Sequence, residues 1–381
     1  EAVVKECTLA KGLQAEEIFV LKITQLREIF EVRWSVFLLG VPGTGKTRIW
    51  QVLLDSQNKF GEKGMAKTLN PKAVTRNELY GYVSMATREW KDGLLSQVFR
   101  DYSNDGNYQH QWIILDGDID AEWIETMNTV MDDNKLLTLV SNERIPLTPP
   151  MRLLFEIADL RNASPATVSR AGVIFVNEDD IGWMPFVSTW LDTRPDKDQA
   201  STLLTLVNKY VQKALTAVLK QFSKVVPIMQ MNSVMTLCYL LDGVLGVEDD
   251  AKKGLPNDVV ETYFVWAACW AFGGALLVDK SKNHKEHFSR WWLEEFKTVK
   301  FPPDLTVFDV MVDEKNNTLL PWTYEPYVHS PGEPVNALYV DVPETARLTF
   351  LFNLLVKNHH GVMYVGNAGT GKTVCMQNNI K

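Results

Sequence analysis

With 381 residues, 46% of them apolar and 23% charged, the chain has the composition of a folded globular protein with room for two or three domains. Its net charge of −8 and the lack of a long basic run argue against a nucleic-acid binder, which needs clustered Lys and Arg to neutralise phosphates. The cysteines, Cys7, Cys238, Cys269 and Cys375, are scattered with no C-x-x-C pair, which argues against zinc and suits reduced thiols. His284 and His287, in NHKEH, lack further ligands nearby and read as a solvated surface pair.

The chain opens with Glu1 and shows no signal peptide, so it reads as a piece of something longer. Residues 15–30, AEEIFVLKITQLREIF, have helical periodicity, with Ile18, Leu21, Leu26 and Ile29 on one broad face. WSVFLL, ending at Leu39, is a short apolar run that stops at glycine, as a buried strand does; GVPGTGKT and then the helical RIWQVLLD follow. WKDGLL carries Asp92-Gly93, a hairpin-turn signal. Further strands are expected at 111–116, 151–158 and 172–176, with a helix at 121–133. Apolar strands alternating with helices predict an α/β fold, a largely parallel sheet covered on both faces.

Beyond about residue 195 the pattern turns helical, at 200–222 and 228–245. The uncharged run TYFVWAACWAFGGALLV, residues 262–278, is just short of a membrane span and is interrupted by Gly273-Gly274, so it reads as a buried core helix with Trp266 and Trp270 on one face. Residues 301–326, with Asn-Asn and several prolines, suggest turns and short strands. A helix, an apolar strand GVMYV and a second glycine-rich loop, GNAGTGKT, then repeat the opening arrangement, at a separation that suits tandem domains rather than a solenoid.

Both loops fit G-x-x-x-x-G-K-[ST]: Gly40, Pro42, Gly43, Thr44, Gly45, Lys46 and Thr47 in the first, Gly366, Gly369, Thr370, Gly371, Lys372 and Thr373 in the second. Glycines let backbone N–H groups wrap phosphates at the positive end of the following helix, the lysine reaches the β and γ phosphates, and the threonine hydroxyl ligates Mg²⁺. Chance explains one such match poorly and two in the same context hardly at all. Asp116 ends an apolar strand where P-loop proteins hold Mg²⁺ through an aspartate; the competing reading is a solvated loop carboxylate. Hydrolysis also needs a group to activate water, and the next residue is Gly117. Asp118 would point to the same face as Asp116 and is a methylene shorter than glutamate. The expected site binds ATP or ADP with Mg²⁺ and hydrolyses slowly or never.

The motifs GVPGTGKT, ELYG, EWKDGLLS, WIILDGDIDAEWIETMNTVMDDNKLLTL, NERIPL, MRLLFEIADL, PATVSRAGVIF, YFVWAACWAFGGA and VGNAGTGKT resemble the second AAA+ module of a dynein heavy chain running into the third. SNERIPLTPPMRLLFEI and SRWWLEEFKTVKFP look most like axonemal outer-arm chains of the beta type. The resemblance covers essentially the whole chain. It implies a P-loop AAA+ sheet in residues 1–195, a helical lid in 196–300, a connecting segment in 301–340 and the start of the next module in 341–381. It also implies a ring of six such modules in one chain, driven mainly by hydrolysis in the first, with structural nucleotide in the second. Arg170, in ATVSR, looks like the arginine finger offered to a neighbouring module; the competing reading is a helix-capping arginine. Asp159 lies near the polar sensor position, where Asn or Thr is usual, which puts its sensing role in doubt, and Val342–Phe350 resembles the adenine-touching segment before a P-loop. Implied partners are the other AAA+ modules, the dynein linker, intermediate and light chains, and microtubules through the full motor, with no membrane or nucleic acid. The implied location is the cytoplasm and cytoskeleton, in the axoneme of a cilium or flagellum. The rival reading is an independently active AAA+ ATPase or remodelling enzyme.

Overall fold

The computed structural model describes residues 1–246, 254–279, 282–313, 315–324, 340 and 342–380, leaving aside the side chains of 121 and 122. They fall into two compact units, Glu1–Pro185 and Phe186–Lys381. The first contains α1 (Ala2–Ala10), α2 (Glu17–Val32), β1 (Ser35–Leu39), α3 (Lys46–Lys59), β2 (Gly64–Leu69), α4 (Arg76–Tyr80), β3 (Gly81–Val83), β4 (Trp90–Asp92), α5 (Leu94–Asn104), β5 (His110–Asp116), α6 (Ala121–Met131), β6 (Leu136–Thr138), β7 (Arg144–Pro146), β8 (Met151–Ile157), α7 (Pro165–Arg170), β9 (Gly172–Phe175) and α8 (Glu178–Ile181). Its centre is a five-stranded sheet in the order β2-β5-β8-β1-β9, every pairing parallel. The fold is the P-loop AAA+ α/β arrangement the motifs imply.

Strand residues alternate between two cores, as period-2 geometry demands. Phe37, Ile113, Leu115, Leu153 and Phe155 face α5, α6 and the β6–β7 hairpin. Val36, Leu38, Trp112, Ile114 and Leu154 face α1, α2 and α3. Burial on both faces explains why β1, β5 and β8 read as continuous apolar runs. The same alternation puts the side chains of Asp116 and Glu156 on the α3 face, the side that carries Trp112, Ile114 and Leu154.

Four expectations change. The apolar face of α2 is not Ile18, Leu21, Leu26 and Ile29: Ile18 and Leu21 are exposed, and Phe19, Val20, Ile23, Leu26 and Phe30 are the residues buried. The hairpin turn is not at Asp92-Gly93: β3 and β4 pair antiparallel around residues 84–89, closed by Ser84 N–H donating to Glu89 O at 2.9 Å. Gly93 instead caps α5, and a Cβ there would lie 2.4 Å from the backbone of Leu79 and Gly81, so close approach selects glycine. The run GVMYV forms no strand, since among the described residues no strand pairs with it, and an apolar run without a ladder partner has nowhere to place its backbone donors. His284 is buried rather than solvated: its Nδ1 accepts the Ser223 N–H at 3.3 Å, and its ring lies edge-on to Phe222.

The second unit holds α9 (Met184–Thr193, beginning at the boundary), α10 (Lys197–Gln221), α11 (Gln230–Leu245), α12 (Asn257–Gly273), α13 (His284–Glu295), β10 (Val310–Asp313), β11 (Thr318–Pro321), α14 (Pro343–Lys357) and α15 (Lys372–Ile380). Its core is aromatic: Tyr210 stacks on Trp292 at 6.1 Å, and Trp266 donates to Val310 O at 3.0 Å. Each such fully buried apolar side chain contributes about 1.5–3 kcal/mol. The Trp-rich α12 ends at Gly273, and no described helix is long and apolar enough to cross a membrane. β10 and β11 form the short antiparallel pair expected near the Asn-Asn turn, with Asn317 at φ 55°. Part of the expected connecting segment, residues 325–339, lies outside the described residues. All four cysteines are free and buried.

Candidate functional site

The first glycine-rich loop joins the end of β1, a central strand, to α3, whose first N–H groups have no intrahelical acceptor. Gly43 and Gly45 take left-handed φ of 89° and 86°, a region that disfavours side chains. Gly40 is required for a different reason, because a Cβ there would sit 2.4 Å from Val176 O. The Thr44 hydroxyl donates to Val41 O at 2.9 Å, and Lys46 Nζ donates to Gly40 O and Val41 O at 2.5 and 3.0 Å. Burial pushes the Lys46 amine below its ordinary range, while Glu156, Asp116 and Asp118 oppose that shift.

Asp116 closes β5, is exposed, and is the register partner of Glu156 on β8. Glu156 is only 4% exposed, and both its oxygens are engaged: Thr47 Oγ1 donates to Oε2 at 2.6 Å and Trp50 Nε1 to Oε1 at 2.5 Å. Burial pushes its carboxyl up, against the pull of those two donors. Glu156 is the polar residue that sequence reasoning missed. It sits in an apolar strand, and only the register to Asp116 and the docking of α3 bring out its chemistry.

Gly117 N–H donates to Glu156 O at 3.2 Å. A Cβ at Gly117 would lie 3.1 Å from Asn70 Oδ1 and 3.4 Å from Pro71 Cδ, so a side chain there fits only if the Asn70 side chain gives by a few tenths of an ångström. Asp118 accepts from Ala158 N–H at 3.1 Å, tying together the loops that follow β5 and β8. Asp159 lies just beyond β8 and is turned to its own loop, accepting from Arg161 N–H at 2.9 Å and from the Arg161 side chain. Arg170 ends α7 immediately before the edge strand β9, with its guanidinium paired to Asp132 just after α6. Ser164 caps α7, and Thr167 Oγ1 donates to Asn128 Oδ1 at 3.0 Å, fixing α7 against α6.

The second loop repeats the first in miniature. Gly369 and Gly371 both have φ of 78°, Thr370 donates to Asn367 O at 2.9 Å, and Lys372 reaches Gly366 O and Asn367 O at 2.8 and 2.5 Å. The loop conformation is therefore local. Carboxylates like Asp116 and Glu156 are contributed by neighbouring strands, and among the described residues no strand runs directly into this loop. Among the described residues, no group of three or more His, Cys, Asp or Glu could hold a metal ion alone. Thr47 with Asp116 fits Mg²⁺, which is commonly bound by one or two protein oxygens completed by phosphate and water.

Comparison with known proteins agrees with this geometry. Three family models match in succession: an AAA domain of the dynein-related subfamily over residues 35–171, the dynein heavy chain AAA lid domain over 203–324, and the P-loop containing dynein motor region over 327–381. The chain is 50% identical over 375 residues to the dynein beta chain of the flagellar outer arm of Chlamydomonas reinhardtii, covering 97% of this chain and 8% of that one. It is 48% identical over 376 residues to the ciliary dynein beta chain of Tripneustes gratilla, covering 98% and 8%. With dynein axonemal heavy chain 17 of Homo sapiens the identity is 44% over 378 residues, covering 99% and 8%. The chain thus spans about a twelfth of the length of these relatives, 8% in each case. Motif, fold and alignment converge on one conclusion: the chain belongs to the axonemal dynein heavy chains, within their AAA+ motor region.

Proposed function

We propose that the first loop binds ATP or ADP with Mg²⁺ and hydrolyses it little or not at all, as a structural nucleotide site of a dynein motor ring. Gly40, Pro42, Gly43, Thr44, Gly45 and Lys46 would cradle the phosphates, and Thr47 and Asp116 would hold the cation. Bound Mg²⁺ would neutralise phosphate charge and supply the positive charge that Asp116 and Glu156 call for. The observation that carries the reading is Gly117, where no carboxylate follows Asp116 and Asn70 and Pro71 crowd the position. Glu156 is buried and its oxygens accept from Thr47 and Trp50 of α3, which ties it to the helix and not to a water beside Gly117.

On this reading residues 1–195 are the large subdomain, 196–300 the lid and 341–381 the start of the next module, whose loop, Gly366 to Thr373, belongs to a separate site. Arg170 serves a neighbouring module's nucleotide, and Asp159 orders its own loop. The relatives are named for flagellar, ciliary and axonemal dyneins, and by the same reading this chain works in the axonemal cytoskeleton, beside the linker and the other modules, in ATP-driven movement on microtubules.

Calorimetric titration of the chain with ATP and ADP tests the site. Lys46→Ala should weaken binding by roughly 1.5–3 kcal/mol, the contribution of a charged hydrogen bond. Unchanged affinity would remove the first loop from the reading.

A further inference from the structure

β8 is apolar except at Arg152 near its start and at Glu156, and Glu156 places a buried carboxylate in the middle strand of the sheet. A charge there is costly unless it is paired and hydrogen-bonded. Two donors satisfy it, and both come from α3. Thr47 and Trp50 are three residues apart, so they share one helix face, and that face lies over β8.

The Thr47 hydroxyl has one proton and two lone pairs. With the proton committed to Glu156 Oε2, the lone pairs point away from Glu156. Asp116 stands beside Glu156 in register, on the same face of the sheet, one strand spacing away, about 4.8 Å. The two carboxylates repel. Lys46, the cation attracted to both, is already turned onto Gly40 O and Val41 O. The arrangement therefore has an aimed hydroxyl oxygen, an adjacent exposed carboxylate and a shortage of positive charge. Trp50 holds the other Glu156 oxygen, so Glu156 stays behind Thr47 and does not move forward to become a ligand itself.

We infer that Glu156 is a positioning residue for the divalent cation of the first loop: it orients the Thr47 hydroxyl oxygen toward a cation shared by Asp116 and the nucleotide phosphates. The inference rests on the proposed nucleotide site. A hydroxyl that donates to a carboxylate is also the more basic ligand, and loss of such an outer partner typically lowers metal affinity about 10- to 100-fold.

The test is nucleotide affinity measured by calorimetry across a Mg²⁺ titration and in EDTA, with melting temperature recorded alongside. Wild type should bind more tightly with Mg²⁺ than in EDTA. Glu156→Gln, nearly isosteric, should raise the Mg²⁺ midpoint about 10- to 100-fold and leave affinity in EDTA within about threefold. A merely structural Glu156 would lower the melting temperature and leave the Mg²⁺ midpoint where it was; that result overturns the inference. Glu156→Asp keeps the charge but draws the carboxylate back by about one methylene, out of reach of the Thr47 hydroxyl. It carries the test should Glu156→Gln fail to fold: a raised midpoint supports the positioning role and an unchanged one overturns it. If wild type binds no nucleotide in either condition, the nucleotide reading fails and this inference falls with it. If wild type binds and only the variant midpoints stay put, this inference alone fails.

Discussion

Gly117 decides more than any other single residue about what the first site can do. Restoring a carboxylate there is the obvious way to seek activity, but the surroundings resist it. Asn70 Oδ1, at 3.1 Å from the added Cβ, is itself held by Lys72 N–H at 2.9 Å, where it caps the short 3₁₀ turn Pro71–Ala73. A side chain at 117 presses on that cap. Gly117→Glu alone should therefore cost about 1–3 kcal/mol, the usual range for overpacking, and give little phosphate release. Gly117→Glu with Asn70→Ala should recover part of the stability, less roughly 1 kcal/mol for the lost cap, and hydrolyse faster than the single variant. Melting curves and steady-state phosphate release measure both. Wild-type turnover at about 1 per second or more, the range of ordinary enzymes, would show that another group already activates water.

At the scale of elements, one arginine joins three of them. Arg100 on α5 reaches Asp92 at the end of β4, at 3.1 Å from Oδ1, and Glu143 just before β7, at 2.8 Å. Its hydrogen bonds hold the Asp92 carboxyl below the usual carboxylate range, with burial opposing. A depressed carboxylate stabilises the fold above its unfolded pKa, about 3.9, and that stability is lost as pH falls through the lower folded value. Asp92→Asn should thus melt below wild type at neutral pH, by no more than about 1 kcal/mol for an exposed, solvent-screened network, and the gap should shrink as pH falls below the ordinary carboxylate range. A gap that keeps its size as pH falls would mean that the loss is one of packing.

These elements also show what could be read in advance. β1, β5 and β8 declare themselves because both faces are buried and their central residues form short apolar runs. β2 was not foreseen: it is an edge strand with Lys67 and Thr68 exposed, so it carries neither a continuous run nor a clean alternation. The glycine loops were legible because their hydrogen bonds close within eight residues, and the same bonds recur in both copies. Glu156 and His284 were not, since their roles depend on partners 109 and 61 residues away.

At the scale of the whole molecule, the question is what the edge of the sheet faces. β9 is the last strand of the order, with Val173 and Phe175 exposed along it, and Arg170 immediately precedes it, so Arg170 lies beside a free edge of the sheet. Within this chain the guanidinium is not idle: Asp132 holds it, and Thr167 with Asn128 fixes the helix beneath it. In the proposed ring, a neighbour's phosphate would have to share Arg170 with Asp132, and the pair would act as a holder that keeps the arginine extended. A guanidinium set on a γ phosphate is worth roughly 10³–10⁵ in rate. Arg170→Ala in the full motor should therefore collapse hydrolysis at the adjoining module, while the isolated chain keeps its own nucleotide affinity, because Lys46 and Thr47 are untouched. Asp132→Asn should slow the motor far less, since the arginine remains and only its tether is weakened. Microtubule-stimulated phosphate release from the ring and calorimetry on the chain read the two halves. If the ring carrying Arg170→Ala keeps its full rate, or if the chain's own affinity falls first, Arg170 is a strut between α7 and α6 and not a finger.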